Sequence, residues 1–187
     1  KRLEKTCKNN KLIFNFPVLT ASITKFEDST KPSLCYAGLF SEMWKIDNIV
    51  RSLAELGDIQ FNLAGQGDNS YIDKLKNLEG WKKVNYIGLV KREDVHNIIY
   101  AKSRIGMVLL DYIPLCKGNI GNLSNNKFFE YMMAGLPIIC TDFVLWKEIV
   151  EINKCGICVN PNSINEIVAA IKYLVDNPDI AKQMGEN

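Results

Sequence analysis

With 187 residues, the chain has room for one α/β domain with a full core. Its 47% hydrophobic content is ordinary for a globular protein, and a formal net charge of +2 gives no reason to expect nucleic acid or another polyanion as partner. No apolar run approaches the length of a membrane span and no signal peptide opens the chain, while the cysteines, read as structural free thiols, fit a reducing cytoplasm. The chain starts Lys1-Arg2-Leu3 without a methionine and is expected to be a piece of a longer protein.

Residues 1–32 read as an edge strand over the apolar run 12–16, closed by Pro17, followed by a polar surface connection. From Ser33 a strand–helix alternation sets in. Strands are predicted over 34–40, 59–64, 84–87 and 105–110, with helices over 46–56, 70–78 and 93–101 between them. The loop Gly65-Gln66-Gly67-Asp68 follows the second of these strands. The strand over 105–110 is apolar throughout, as in a parallel sheet buried on both faces. A helix over 145–152, a strand over 156–159, a helix over 164–175 capped at Pro161-Asn162-Ser163, and a last short helix after Pro178 complete the pattern. The fold class is therefore α/β, a Rossmann-like three-layer sandwich with an open, mostly parallel sheet over residues 33–187. Its strand-to-helix loops meet at one edge, where ligands bind such sheets.

Six cysteines are present, and Cys35 and Cys140 fall in predicted buried strands, where a thiol packs as a small apolar group. Cys155-Gly156-Ile157-Cys158 has redox spacing, but it leads into a strand and not a helix N-terminus, so nothing activates the thiol. The single histidine, His96, sits in a mixed helix, and no ligand cluster suggests zinc.

The central stretch 118–141 reads GNIGNLSNNKFFEYMMAGLPIICT. A Gly/Asn-rich loop leads into a helix over 126–133, with Ser124 and Asn125 as N-caps, Gly135 as the stop, and a strand over 138–141. Such a helix start offers backbone N–H groups and a positive dipole end, the ingredients of an anion site. On a wheel, Phe128, Phe129, Met132 and Met133 form the face expected to be buried. Lys127 and Glu130 lie on the other side, close enough to serve one ligand or to be a solvated pair.

The segment SNNKFFEYMMAGLPII resembles the nucleotide-binding motif of family 4 glycosyltransferases, retaining enzymes built from two Rossmann-like domains in the GT-B arrangement. The resemblance runs from about Leu34 to Met184. It implies that Glu130 binds the donor ribose hydroxyls and that the amides around Asn126 and Lys127 hold the diphosphate. The family's first glutamate falls at Asn122, which would face the donor sugar without a charge. Its Gly-Arg pair falls at Gly38 and Leu39, so one phosphate cation is absent, and Lys45 and Lys127 are the remaining candidates. The backbone at Val90, after Gly88, matches the position that meets the base. Gly65-Gln66-Gly67 matches a loop bordering the donor pocket.

The implied function is the donor-binding C-terminal half of an enzyme moving a sugar from a nucleotide-sugar, a UDP-sugar by first choice, to a bacterial surface glycan or lipid-linked acceptor. The acceptor-binding N-terminal domain would lie outside this chain, and the parent would work in the cytoplasm or at the inner face of the membrane. No cofactor and no metal are implied. The alternative is a non-catalytic nucleotide-binding or partner module, motivated by Leu39 and Asn122. A dinucleotide-dependent oxidoreductase is disfavoured because the glycine loop lacks a third glycine.

Overall fold

The computed structural model describes Pro17 and residues 31–187, so the strand expected at 12–16 and nearly all of the 1–32 linker lie outside the described residues. Within them, one sheet holds β1 (Ser33–Phe40), β2 (Gln60–Gly67), β3 (Val84–Gly88), β4 (Ile105–Val108), β5 (Ile138–Thr141) and β6 (Gly156–Val159). The strand order is β3-β2-β1-β4-β5-β6, and every pairing is parallel. The helices are α1 (Ile46–Ala54), α2 (Asn69–Lys76), α3 (Val95–Ile98), α4 (Asn126–Met133), α5 (Val144–Asn153), α6 (Ile164–Asp176) and α7 (Pro178–Glu186).

Alternation along the strands feeds two cores. Leu34, Tyr36, Phe61, Leu63 and Met107 pack on one face against Ile46, Ile49 and Leu53 of α1 and Ile167 and Ile171 of α6. Cys35, Ala37, Val108 and Ile138 face the other way, against Phe128 and Tyr131 of α4 and Trp146 and Val150 of α5. The order of strands reverses between β1 and β4. Connections leaving those two strands part to opposite sides, which opens a crevice beyond their carboxyl ends.

Three sequence expectations shift. Gly65-Gln66-Gly67 is not a loop but the end of β2, paired with Gly38-Leu39-Phe40. The bare glycines make this possible, since a Cβ at Gly65 would fall 1.8 Å from the Gly38 carbonyl oxygen. The helix expected over 93–101 breaks into two 3-10 turns, Arg92–Asp94 and Tyr100–Lys102, flanking α3. The break falls at Ile99 (φ −112°, ψ −60°), where the winding changes so that both Ile99 and Tyr100 are buried. Strand β4 stops at Val108, and the buried backbone of Leu110 is satisfied instead by the Thr141 hydroxyl, which meets its N–H and its carbonyl at 2.8 Å each.

Helix α4 is seated differently from the wheel. Phe128 and Tyr131 are fully buried and Glu130 is turned inward, while Phe129, Met132 and Met133 are only half-buried. The cause lies on β4. Gly106 has no side chain, and the Tyr131 ring fills the space: a Cβ there would meet ring carbons at 2.5 Å. Phe128 stacks on Trp146 at 4.8 Å and holds the other side.

Gly106→Ala should therefore lift α4 from the sheet and cost about 2–3 kcal/mol or more. Gly57→Ala, where nothing lies within 4 Å of the new methyl, should stay within about 0.5 kcal/mol. Urea-unfolding midpoints of the two variants test the contrast.

Candidate functional site

A cleft of about 260 Å³ opens beyond the carboxyl ends of β1 and β2. Gly38 and Leu39, Gly65 and Gln66, Leu89, Val90 and Arg92, and finally Tyr100 and Glu130 line it. A second cavity, of about 210 Å³, lies at the opposite end of the sheet, near Pro32, Ile105, Leu174 and Ala181, and holds none of the candidate residues.

Glu130 is only 8% exposed, too buried for an unpartnered carboxylate. The Arg92 guanidinium donates to its Oε1 at 2.5 Å and the Tyr100 hydroxyl donates to its Oε2 at 2.8 Å. Burial and then the negative charge of Glu130 push the Tyr100 phenol far above its usual value, so it remains a donor. Its ring packs edge-on to Tyr131 at 5.2 Å.

Lys127, one turn earlier on α4, runs along the bare backbone of β1. A Cβ at Gly38 (φ +147°) would fall 2.4 Å from Lys127 Cε and 2.9 Å from Nζ. The ammonium rests 4.0 Å from the centroid of Trp44 and 5.2 Å from that of Tyr36. Burial pulls the Lys127 pKa down to about 8, against the attraction of Glu130.

At the start of α4, Asn125 Oδ1 accepts from the Lys127 N–H at 3.1 Å, a standard N-cap. Its Nδ2 is buried without a protein partner, as is Ser41 Oγ just past β1. This amide donor, in a residue that is 8% exposed and at a helix N-terminus, is available to a polar ligand or a water.

Of the sequence candidates, Gly38, Val90 and Glu130 meet in one cleft, Lys127 abuts Gly38, and Asn126 opens α4. Lys45 and Asn122 do not line that cleft. Lys45, in a left-handed conformation (φ 47°), is ion-paired with Asp111 at 2.6 Å. Burial opposes ionisation of Asp111, but hydrogen bonds from Lys45, Asn162 and the Tyr112 N–H outweigh it and hold the carboxyl below its usual range. Asn122 Oδ1 accepts from the Ser124 N–H at 3.0 Å and the Ser124 hydroxyl at 2.5 Å, so its side chain shapes the loop before α4. Leu39 is 55% exposed on the rim.

Sequence reasoning missed Arg92, Tyr100, Tyr36 and Trp44. Only Arg92, an arginine two residues past the position expected to meet a base, carried a local signal. Cys158, read with Cys155, instead meets Cys140 across the β5–β6 pairing at 3.6 Å, and that contact pulls its thiol pKa down. Among the described residues, no three His, Cys, Asp or Glu side chains converge as metal ligands would, and no helix is long and apolar enough to cross a membrane.

A parallel sheet in this order, with a carboxylate-bearing cleft and a helix N-terminus at its switch point, defines a Rossmann-like α/β domain. The chain matches the family model for glycosyl transferases group 1 over residues 21–187 and belongs to that family. It is 24% identical over 163 residues to the alpha-D-kanosaminyltransferase of Streptomyces kanamyceticus, covering 84% of this chain and 40% of the relative. The fold matches S. aureus TarM, solved with fondaparinux, alpha-GlcNAc-glycerol and UDP (TM-score 0.75, 18% identity, 99% of this chain and 36% of that one). Anabaena HepE in complex with UDP-glucose gives a TM-score of 0.69 at 16% identity, over 84% and 42% of the two chains. The separately crystallised C-terminal domain of a group 1 glycosyl transferase, LpcC of Francisella tularensis, gives 0.62 at 14% identity over 90% and 89%. The chain thus spans about 40% of the length of the curated relative it matches.

The depressed Lys127 pKa has a definite sign. Between about pH 8 and the unfolded lysine value near 10.4, the unfolded chain holds a proton that the folded chain has released. Stability from this group therefore rises with pH across that window. Below it both states are protonated, and the cost of burying the ammonium, a few kcal/mol, stays. Lys127→Met should flatten the slope between about pH 8 and about pH 10, read as the difference in urea midpoint from the unaltered chain.

Proposed function

We propose that the intact protein is a retaining glycosyltransferase and that this chain is its donor-binding half. It takes a nucleotide-sugar, a UDP-sugar first, and transfers the sugar to a bacterial surface glycan or lipid-linked acceptor held by a companion domain, in the cytoplasm or at the inner membrane face. The observation that carries this reading is the inward-turned Glu130 carboxylate at the cleft, three residues from Lys127 at the start of α4. Group 1 membership, and relatives solved with UDP and UDP-glucose, support it.

In this reading Glu130 accepts hydrogen bonds from the ribose hydroxyls, and the base lies along the backbone at Val90. The diphosphate meets the opening of α4 at Asn126, where Asn125 Nδ2 and the Lys127 ammonium supply donors. As the bond from sugar C1 to the diphosphate oxygen breaks and a bond from C1 to an acceptor hydroxyl oxygen forms, that hydroxyl's proton passes to the departing diphosphate, on which negative charge has gathered. Preorganised N–H groups and an ammonium already seated in a low-dielectric site stabilise that charge without rearrangement. No metal is assigned to this task. Lys45 is held by Asp111 and contributes to the diphosphate only by exchanging that partner.

The second reading, a nucleotide-binding module without transfer activity, is favoured by Leu39 and by the engagement of Asn122 with Ser124. Transfer or donor hydrolysis by the full-length parent separates the two.

Calorimetry of this chain with UDP and GDP should show binding that EDTA leaves unchanged. Glu130→Ala should weaken it by on the order of tenfold or more. Near pH 8, binding should take up a proton as the diphosphate returns Lys127 to the charged form, so the heat should track the buffer's ionisation enthalpy. No heat from any nucleoside diphosphate at millimolar concentration would overturn the donor-binding reading.

A further inference from the structure

The Glu130 carboxylate is approached by two donors, and both belong to one stretch of chain. Arg92 opens the 3-10 turn behind β3, and Tyr100 opens the turn that closes α3. The same stretch brings Leu89, Val90 and Val95 to the cleft. The Arg92 side chain is 73% exposed at the mouth, while that of Glu130 is 10% exposed inside.

Each carboxylate oxygen has two acceptor positions. Arg92 uses one on Oε1 and Tyr100 uses one on Oε2, at 2.5 Å and 2.8 Å. One acceptor position therefore remains on each oxygen. Two parallel acceptors at carboxylate spacing suit a vicinal diol, whose neighbouring hydroxyls each donate one hydrogen bond. With the side chain pinned from both oxygens, those positions have a fixed direction, and the ordering cost of the carboxylate is met before a ligand arrives.

We infer that Arg92 and Tyr100 are positioning residues that aim Glu130 at the ribose diol of the donor and tie it to the loop that faces the base. The inference rests on the donor-binding reading above. The tie joins residues 38 and 30 positions apart in sequence, so the nucleoside is gripped between α4 and the 89–100 segment as one unit. Tyr100 is the stronger member, because its hydrogen bond is buried. The exposed Arg92 guanidinium is screened by water and contributes less.

The test compares uridine diphosphate with 2′,3′-dideoxyuridine diphosphate by calorimetry on this chain. The unaltered protein should prefer the ribo form. Tyr100→Phe keeps the ring and its edge-on packing, and should shrink that preference by on the order of tenfold. Arg92→Ala should shrink it several-fold, and Arg92→Lys should restore part of it. Affinity for the dideoxy analogue should hardly change in any variant, which a purely structural role does not predict. Equal weakening toward both nucleotides, or tighter ribo binding in Arg92→Ala, would overturn the inference and leave the donor-binding reading standing. An unaltered protein that binds neither nucleotide, or binds both equally, would instead remove the ribose contact of Glu130, and the inference with it.

Discussion

The seating of α4 on β4 is the constraint from which the site follows. Tyr131 takes the room that any side chain at Gly106 would occupy, and Phe128 stacks on Trp146 one turn away. Once these two rings are fixed, the helix has no rotational freedom. Glu130, next to Tyr131, must turn toward the cleft, and Lys127, four residues before Tyr131, must run along β1. Gly38 then has to be bare, because Lys127 Cε and Nζ lie where its Cβ would be. A missing side chain on one strand thus dictates a missing side chain on its neighbour, through a helix packed across both.

The two charges of α4 are kept apart by their surroundings. They stand three residues apart on one helix, a spacing at which an acid and a base ordinarily pair in solvent. Here Glu130 is engaged by Arg92 and Tyr100, and Lys127 rests on the rings of Trp44 and Tyr36. An aromatic face holds an ammonium weakly enough for a phosphate to recruit it, whereas a carboxylate would have to be displaced. Lys45 shows the contrast. Its partner Asp111 is itself held ionised by Asn162 and the Tyr112 N–H, so withdrawing Lys45 leaves a partly buried carboxylate short of a cation.

What was legible in the sequence was what local chemistry decides. Helix α4 runs over 126–133 as its caps predict, with Asn125 bonded to the Lys127 N–H and Gly135 in the left-handed region at φ 70°. The strand–helix alternation likewise led to the parallel sheet. What was hidden depends on residues distant in sequence. The helical wheel of α4 carries no information about Gly106, so it places Phe129, Met132 and Met133 in the core and leaves Glu130 open between a ligand contact and a solvated pair. Arg92 and Tyr100 reach Glu130 across 38 and 30 positions, and no spacing rule links them. The glycines of β2 were read as a loop because glycine usually marks turns. Here they serve the close approach of two strands instead, with Gly65 against the Gly38 carbonyl. Cys158 shares redox spacing with Cys155 along the chain, but strand register sets it beside Cys140.

The departures at Leu39 and Asn122 have a shared physical consequence. With Leu39 on the rim, β1 brings no cation to the cleft and contributes bare backbone at Gly38 instead. With Asn122 bonded to Ser124, the preceding loop is spent on shaping the entry to α4. The polar functions left over, an ammonium, a carboxylate, the capping amide and the helix N-terminus, all ride on α4 or on the residue before it. These groups are then set by one rigid element, and the 89–100 segment adds Arg92 and Tyr100 as the partners that hold Glu130. Such a site gains precision from the packing beneath it. It also inherits the weakness of that arrangement, because any change that shifts Tyr131 or Trp146 shifts all of those groups at once.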